Sequence, residues 1–497
     1  MTKQYRNYID GEWVEAASGQ TCAKLNPANG KAIAEIPSSG SADTERAVES
    51  AKRAFARWSK TPVPARGEIV RRFADLLTAH KEEVARIETV EMGKVLAETR
   101  GDVQEGIDTA IFAVGESRRL YGRTTPSELP NKLCFTVRRP RGVVALITPW
   151  NFPAALPCWK LLPALLCGNT VVFKPSREAP CTATRLVELL VEAGVPEGVV
   201  NLVHGPGSAV GGVLCSHPDV SLVSFTGSVS VGRQVGAAAG ERLKKVSLEL
   251  GGKNGQIVMD DADLDLAVEG ALWGAFGTTG QRCTATSRLI AHEAIHDDLV
   301  SRLAARANAI RVGDGLDETV DMGPLVSAKR RDETHAYVES ARAEGAQVAC
   351  GGEPCTEEGC GNGFFYKPTV LTGVEPRMRV AREEIFGPVL ATLKVRDLQE
   401  AIEVINDSDF GLSSSIFTRD VNAAMRAVEG IQAGVVYVNS ATIGAECHLP
   451  FGGVKNSGNG HREGGWAAYD LFSAEHAVYV DYSGKLQKAQ IDTAKGE

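Results

Sequence analysis

The sequence predicts an α/β protein whose sheets are mainly parallel. In residues 141–251, short apolar segments end in turns rich in Gly, Pro and Asn, and a helical pattern follows several of these turns. A second alternating region begins after Gly251. Strands and helices that alternate at these lengths indicate a parallel sheet with helices on both faces. The length of 497 residues indicates two or more domains.

The N-terminal region predicts short strands and then helices. Strand-like segments in the first 25 residues flank a turn at Asp10-Gly11. Residues 41–97 are predicted to be helical, because Ser41 can cap a helix and apolar residues recur at helical spacing. A second helix is predicted within this stretch at residues 65–80. Residues 133–139 alternate in polarity, as a strand does.

The middle of the chain predicts a series of buried strands. They are residues 141–147, 170–173, 199–203 and 222–225, and a helix at residues 181–192 separates the second from the third. Parallel sheets bind ligands at the carboxyl ends of their strands. Asn151, Lys174 and Gly227 lie at or just after three of these ends, so we expect a binding site there.

After Gly251 the alternation predicts a second sheet. Helices are expected at residues 263–274 and 295–309, and strands at residues 389–395 and 435–438. A last strand-like segment, residues 478–480, precedes a polar tail.

The composition is that of a globular protein and argues against several classes of function. Hydrophobic residues make up 43% of the chain and charged residues 23%. The net charge of −8 and the lack of a basic block argue against nucleic-acid binding. No apolar run has the length of a signal peptide or a membrane span, so no membrane partner is expected. The 11 cysteines lack a zinc-binding spacing, which predicts no metal site and a reducing, cytoplasmic setting.

A thiol and a carboxylate are the main candidates for chemistry. Cys283 lies among small residues in Gly280-Gln281-Arg282-Cys283-Thr284-Ala285, and Glu249 precedes a glycine pair in Leu248-Glu249-Leu250-Gly251-Gly252. The thiolate is the attacking form of cysteine, and we expect the neighbouring Arg282 to raise its population. For each residue alone, a buried free cysteine and a salt-bridged surface acid are the commoner alternatives.

Seven short motifs, in order, resemble the aldehyde dehydrogenase superfamily over residues 7–482. They are Pro149-Trp150-Asn151-Phe152-Pro153, Lys174-Pro175-Ser176, Phe225-Thr226-Gly227-Ser228, Leu248-Glu249-Leu250-Gly251-Gly252-Lys253, Gly280-Gln281-Arg282-Cys283, Glu384-Ile385-Phe386-Gly387-Pro388 and Pro450-Phe451-Gly452-Gly453. Each motif is weak alone, and their common order over more than 300 residues makes coincidence negligible.

The resemblance implies three structural parts. A Rossmann-like cofactor-binding domain is expected from residues 1–121 and 141–251, and an α/β catalytic domain from residues 252–469. A small β bridging arm for oligomerisation is expected from residues 122–140 and 470–497. Such an arm leaves a sheet edge that another subunit can extend, so a homodimer or homotetramer is expected.

The resemblance also implies a mechanism. Cys283 attacks an aldehyde carbonyl, and the Asn151 amide and the backbone N–H of Cys283 stabilise the oxyanion. Hydride leaves for a nicotinamide cofactor, and Glu249 activates the water that hydrolyses the thioester. Lys174 is also expected to be one of the catalytic residues. The alternative for Asn151 is a turn or capping residue.

Cofactor binding is expected without the usual dinucleotide fingerprint, because no G-x-G-x-x-G follows a strand. The Gly227-Ser228 turn precedes a predicted helix, whose N-terminus suits a pyrophosphate. The resemblance implies that Lys174 binds the adenosine ribose and that Glu384 holds the nicotinamide ribose. The other implied cofactor residues are Trp150, Ser176 and Phe386. An exposed acid is the alternative for Glu384.

Arg177 bears on the choice between NADP and NAD. Relatives that prefer NAD often carry Glu three residues after the ribose lysine, and this chain has Arg177 there. Guanidinium can pair with a 2′-phosphate that a carboxylate would repel. The sequence therefore favours NADP, with NAD also usable, unless Arg177 points into solvent.

The substrate is expected to be a short aldehyde with a distal carboxylate. Arg282 can anchor that carboxylate, and Glu105 resembles the acid that holds an amino group in aminoadipate-semialdehyde dehydrogenases. The Gln-Arg-Cys-Thr-Ala run resembles 2-oxoglutarate-semialdehyde (2,5-dioxopentanoate) dehydrogenases. Phe152 and Phe451 complete the expected substrate residues. The alternatives are a structural ion pair for Arg282 and a surface helix acid for Glu105.

Three rival functions are less well supported by the sequence. An acylating dehydrogenase that uses coenzyme A would usually lack Glu249. A thiol hydrolase would need a His base, and no His lies in the motifs. A non-enzymatic binding relative would have no need to keep Cys283, Glu249, Asn151 and Lys174 together.

Overall fold

The computed structural model describes residues 2–357 and 359–493. Met1, Glu358 and residues 494–497, which fall within the three predicted parts, lie outside the described residues. The strands are β1 Lys3–Gln4, β2 Asn7–Ile9, β3 Glu12–Val14, β4 Thr21–Leu25, β5 Ala32–Pro37, β6 Thr124–Thr125, β7 Lys132–Pro140, β8 Val143–Ile147, β9 Thr170–Lys174, β10 Val200–Leu202, β11 Val220–Thr226, β12 Lys245–Glu249, β13 Asn254–Val258, β14 Thr286–His292, β15 Gln347–Cys350, β16 Thr369–Thr372, β17 Val389–Val395, β18 Phe410–Gly411, β19 Ser413–Phe417, β20 Val435–Val438, β21 Val454–Lys455 and β22 Ser473–Asp481.

The α-helices alternate with these strands through most of the chain. They are α1 Ser41–Trp58, α2 Val63–Ala79, α3 Lys81–Met92, α4 Leu96–Glu116, α5 Ala155–Leu166, α6 Pro180–Glu192, α7 Gly212–Ser216, α8 Val229–Gly240, α9 Leu264–Phe276, α10 Glu293–Asn308, α11 Ala328–Ala343, α12 Arg379–Arg382, α13 Leu398–Asn406, α14 Val421–Gly430, α15 Ala467–Phe472 and α16 Ala489–Thr493.

The first sheet has seven strands in the order β12-β11-β8-β9-β10-β2-β3. The strands from β12 to β10 are parallel, and the N-terminal hairpin β2–β3 adds an antiparallel edge. Successive side chains of a strand point to opposite faces. Accordingly, Val144 and Leu146 of β8 enter a core with α2, α4, α5 and α6, while Val143 and Ala145 enter a core with α1, α7 and α8.

The second sheet has seven strands in the order β15-β16-β17-β14-β13-β19-β20. All neighbouring strands are parallel except β15 and β16. Here Ile257 packs with α11, α13 and α14 on one face, and Val258 packs with α9 and α10 on the other. Two parallel sheets covered by helices confirm the predicted α/β class.

A three-stranded antiparallel arm has the order β22-β7-β6. Strands β22 and β7 pair over nine residues, from Ser473 opposite Pro140 to Asp481 opposite Lys132. Strand β22 lies at the edge, and Tyr479 and Tyr482 near its end are exposed.

Over residues 2–357 and 359–493, no helix is both long enough and apolar enough to cross a membrane.

The predicted helical stretch at residues 41–97 contains the predicted second helix, residues 65–80, as α2, and a break at Gly93 that was not predicted. It is divided into three helices, and a fourth begins at Leu96. Pro62 caps the second helix, and Gly93 ends the third in a left-handed conformation with φ of 93°. Apolar periodicity persists across a short break, which is why the pattern did not reveal the one at Gly93.

Candidate active site

Cys283 follows a sharp turn between α9 and β14. Thr278, Thr279 and Gly280 all have positive φ, at 54°, 58° and 67°. Only glycine fits at position 280, because a side chain there would also collide with the carbonyl group of Gly387. The carbonyl of Cys283 accepts a hydrogen bond from Asn254 Nδ2 at 2.8 Å, which fixes the residue after the turn.

Cys283 lies where two cavities meet. One, of about 300 Å³, is lined by Glu249, Glu105, Arg282, Phe152 and Phe451, among other residues. The other, of about 320 Å³, is lined by Trp150, Asn151, Gly227, Ser228, Glu384 and Phe386, among others. Cys283 lines both. A thiol in this position can meet one ligand from each side.

Glu249 is a buried carboxylate at the end of β12. The residue is only 2% exposed, and neither of its carboxylate oxygens has a hydrogen-bond partner among the described residues. Burial raises the pKa of Glu249 well above its usual value, and the charge of Glu463 raises it further, while Lys160 and Arg462 oppose the shift. An acid with a raised pKa and free oxygens is suited to take a proton from water.

Burial also raises the pKa of the Cys283 thiol, to about 12, and the carboxylates of Glu384 and Glu249 add to the shift. The expectation that Arg282 favours the thiolate is therefore wrong for this state of the protein. The Arg282 guanidinium is paired with Glu98 instead of with the thiol. Sequence adjacency does not tell where a long side chain points.

Asn151 follows β8 and is 3% exposed. Its Oδ1 atom has no hydrogen-bond partner within the described part of the chain, so the amide is not held as a turn cap. The helix α5 that follows is capped instead by Asp102, whose Oδ1 accepts the Ala155 N–H at 2.8 Å. The Asn151 amide and Cys283 line the same cavity, and an amide there can donate to an oxyanion.

The second cavity has groups that fit a nicotinamide riboside. The Glu384 carboxylate accepts the Gly252 N–H at 3.0 Å, and burial raises its pKa to about 7. It is therefore not an exposed acid. The Phe386 and Trp150 rings pack edge to face with centroids 5.4 Å apart. Ser228 is the N-cap of α8, and its hydroxyl bonds Ser230 Oγ at 3.3 Å and not a backbone N–H of the helix, which leaves N–H groups at this helix start for an anion.

The other predicted cofactor residues lie after β9. Lys174 is buried, donates to the Pro175 carbonyl at 2.7 Å, and has a pKa lowered to about 8 by burial and by Arg177. Ser176 Oγ accepts the Glu178 N–H at 3.2 Å. Arg177 is exposed, and the adjacent Glu178 is paired with Lys24 at 3.0 Å. Arg177 thus points into solvent, which is the alternative stated for it above.

The cavity that Glu249 lines also contains two of the predicted substrate residues, Arg282 and Glu105. Arg282 Nη2 lies 3.2 Å from Glu98, and its guanidinium packs over the Trp273 ring at 4.7 Å. Glu105 Oε1 accepts the Trp159 indole N–H at 3.0 Å, and burial raises the pKa of Glu105 to about 7. Both residues line the cavity beside Cys283, so neither is a surface residue.

Several buried charges around the site were not predicted. Lys160 bonds Glu463 and Ser224 beneath Glu249, and Lys94 bonds Glu88 and Asp102. The acids of α4 at positions 98, 102 and 105 are about one turn apart, a spacing that places them on one helix face. That spacing was a usable indication that α4 turns an acidic face towards the site.

Comparison with known proteins identifies the family. A model described as the aldehyde dehydrogenase family matches residues 13–478. The chain belongs to the aldehyde dehydrogenase family. It is 43% identical over 477 residues to an alpha-ketoglutaric semialdehyde dehydrogenase of Bacillus subtilis, covering 96% of this chain and 98% of the relative. It is 44% identical to an alpha-ketoglutarate semialdehyde dehydrogenase of Haloferax volcanii, covering 97% and 100%.

Solved structures agree with the assignment. A betaine aldehyde dehydrogenase of Staphylococcus aureus in complex with NAD+ superposes with a TM-score of 0.95 at 37% identity, covering 97% of this chain and 96% of that chain. The protein is thus an oxidoreductase of the NAD(P)-dependent aldehyde dehydrogenase type, as the motifs predicted.

Proposed function

We propose that this aldehyde dehydrogenase oxidises a short semialdehyde with a distal carboxylate, such as 2,5-dioxopentanoate, to the carboxylic acid. The observation that carries the proposal is Arg282, which lines the substrate cavity directly beside Cys283. Guanidinium has five N–H donors. Nε donates to Thr278 and Nη2 to Glu98, while Nη1 has no acceptor among the residues that the structure describes. Nη1 is the donor left for a substrate carboxylate.

The proposed mechanism assigns one task to each buried group. Cys283 Sγ, after losing its proton, bonds to the aldehyde carbon, and the Asn151 amide and the Cys283 N–H hold the resulting oxyanion. When bound, a nicotinamide cofactor would accept the hydride that leaves the former aldehyde carbon, so that this carbon becomes a thioester of Cys283. Glu249 takes a proton from the water that then attacks the thioester carbon, and the Cys283 thiolate leaves as the carboxylic acid forms. Since Glu249 is present, no coenzyme A is required.

For the cofactor, we propose that NADP is accepted through Arg177 and that NAD is also used. Arg177 points into solvent in the described structure, so the proposal rests on its place three residues after Lys174 and on the pairing of Glu178, the nearest carboxylate in sequence, with Lys24. Lys174, Ser176, Gly227, Ser228 and Glu384 would hold the rest of the cofactor in either case. The NAD+ bound to the Staphylococcus aureus relative supports use of NAD.

A second substrate class is favoured by Glu105. Its carboxylate faces a cavity with the Trp159 and Phe451 rings, whose centroids lie 5.3 Å apart, and it makes no ion pair within residues 2–357 and 359–493. An acid beside aromatic rings suits a distal ammonium group, as in aminoadipate semialdehyde. Betaine aldehyde dehydrogenases of Cereibacter sphaeroides are 42% identical to this chain. Succinate semialdehyde remains a further carboxylated candidate.

We also propose that the protein is a homodimer or homotetramer. Strand β22 offers a free edge and exposed side chains such as Tyr479, which a second copy can cover.

We propose a reducing, cytoplasmic setting for the protein. All 11 cysteines are free thiols in the structure, which supports this proposal.

A substrate panel tests the proposed function. Initial rates with NADP and NAD are measured for 2,5-dioxopentanoate, succinate semialdehyde, aminoadipate semialdehyde, betaine aldehyde and pentanal. We expect 2,5-dioxopentanoate to show the highest kcat/KM, and Arg282→Ala should lower it about 10- to 100-fold more than it lowers that of pentanal. Arg302→Ala is the matched control, because Arg302 pairs with Asp298 on the surface of α10. An equal loss for both aldehydes would remove Arg282 as the anchor.

A further inference from the structure

Glu98 connects helix α4 to the turn that carries the nucleophile. One carboxylate oxygen, Oε1, accepts the backbone N–H of Thr278 at 2.7 Å and also lies 3.2 Å from Arg282 Nη2. Arg282 Nε in turn donates to Thr278 Oγ1 at 2.8 Å. The Glu98 and Arg282 side chains are 8% and 11% exposed. These contacts close a small ring of hydrogen bonds directly before Cys283.

The turn requires such support because its backbone is strained. Thr278 and Thr279 are β-branched residues with positive φ, a conformation that persists only when neighbouring groups hold it. Thr279 Oγ1 donates to the Gly323 carbonyl at 2.9 Å, and Gln281 Oε1 accepts the Val326 N–H at 2.9 Å. Both partners belong to the same half of the chain as the turn. Glu98 instead reaches it from α4, which packs on the first sheet.

The same helix face holds the segment that carries Asn151. Asp102, one turn after Glu98, accepts the N–H of Ala155 at 2.8 Å, four residues after Asn151. Two acids on one face of α4 thus bind backbone N–H groups in both segments, at Thr278 before Cys283 and at Ala155 after Asn151. A thiol and an oxyanion donor must keep their separation to within a fraction of an ångström for efficient reaction.

We propose that Glu98 is a positioning residue for Cys283: its Oε1 atom holds the turn at residues 278–283 against α4 and so fixes the nucleophile relative to Asn151. A second consequence rests on the proposed function. The negative charge of Glu98 limits the attraction of Arg282 for a substrate carboxylate, so Glu98 also tunes the preference between carboxylated and neutral aldehydes.

Three variants separate reach from charge. Glu98→Gln keeps an oxygen acceptor at the same distance but removes the charge. Glu98→Asp keeps the charge but withdraws the oxygens by one methylene group, and Glu98→Leu removes the acceptor. Glu82→Gln is the matched control, because Glu82 pairs with Arg100 and Arg86 on the protein surface. Thermal unfolding is followed for each variant. If Glu98→Leu does not fold, Glu98→Asp serves as the test of the lost contact.

The readouts are the kcat for pentanal and the rate at which iodoacetamide alkylates Cys283, followed on the Cys283 peptide by mass spectrometry. Neither depends on a substrate carboxylate, so the outcome is independent of the proposed substrate. We expect Glu98→Asp and Glu98→Leu to lower kcat about 10- to 100-fold and to change the alkylation rate by a similar factor. Glu98→Gln should restore both to within about 3-fold of the parent protein.

For the carboxylated substrate 2,5-dioxopentanoate, Glu98→Gln should lower the KM and leave that of pentanal unchanged. Parent-like kcat and alkylation in Glu98→Asp or Glu98→Leu would overturn the positioning role. An equal loss in Glu98→Gln and Glu98→Leu would also overturn it, because charge and not reach would then matter. If Glu98→Gln leaves the KM of the carboxylated substrate unchanged, only the tuning of Arg282 is refuted.

Discussion

Replacement of Glu249 by Gln should separate the two halves of the reaction. The cavity beside Cys283 holds other acids, but Glu98, Asp102 and Glu463 are bound to cations and Glu105 is bound to an indole N–H. Among the described carboxylates that line this cavity, Glu249 is the one with neither oxygen hydrogen-bonded. The steady-state rate should therefore fall by the full effect of a lost general base, about 10²- to 10⁴-fold.

The first half of the reaction should not slow. Glu249 is one of two carboxylates whose charge raises the pKa of Cys283, so the Gln variant has a lower thiol pKa and a larger thiolate population. Stopped-flow absorbance should show a burst of one reduced nicotinamide per active site at least as fast as in the parent protein, followed by slow turnover. An unchanged steady-state rate would refute the role of Glu249 in hydrolysis. A burst slowed in proportion would show that Glu249 deprotonates the thiol.

Three further predictions concern the oxyanion, the cofactor and the substrate end. Asn151→Ala should lower kcat about 10²- to 10³-fold with cofactor affinity unchanged, measured by steady-state kinetics and cofactor titration; a loss of affinity instead would make Asn151 a cofactor residue. Arg177→Glu should lower the ratio of kcat/KM for NADP to that for NAD about 10-fold or more, and an unaltered ratio would contradict the phosphate contact. The raised pKa of Glu105, about 7, means that its carboxyl is neutral below that pH and charged above it. The KM of aldehydes with a distal ammonium should therefore fall as the pH rises through 7, and Glu105→Gln should abolish this dependence.

The site residues that the sequence predicted are those that belong to contiguous sequence motifs. Glu249 ends β12, Asn151 follows β8 and Cys283 lies in the turn before β14, and each is part of a short contiguous motif. The motifs and their order along the chain were therefore enough to select these three residues. The buried strands β8, β9 and β11 were predicted for a similar reason, because a short apolar run between turns is itself a local feature.

The contacts that support the site are not local and were missed. Thr278 and Glu98 are 180 positions apart, and Lys160 and Glu463 are 303 apart. The predicted effect of Arg282 on Cys283 failed because a side chain next in sequence turned to an acid on α4 instead. The break at Gly93 was missed because apolar periodicity continues on both sides of it. The sequence pattern of one segment does not show which residue of a distant segment will contact it.

The most direct test of the mechanism is reduced-nicotinamide formation by Cys283→Ala. Absorbance is followed with 2,5-dioxopentanoate and either cofactor, without coenzyme A, and cofactor binding is measured in parallel to show that the cavity beside Asn151 is intact. We predict that cofactor still binds and that neither the burst nor steady turnover is detected. Turnover at the parent rate in this variant would contradict attack by the Cys283 sulfur.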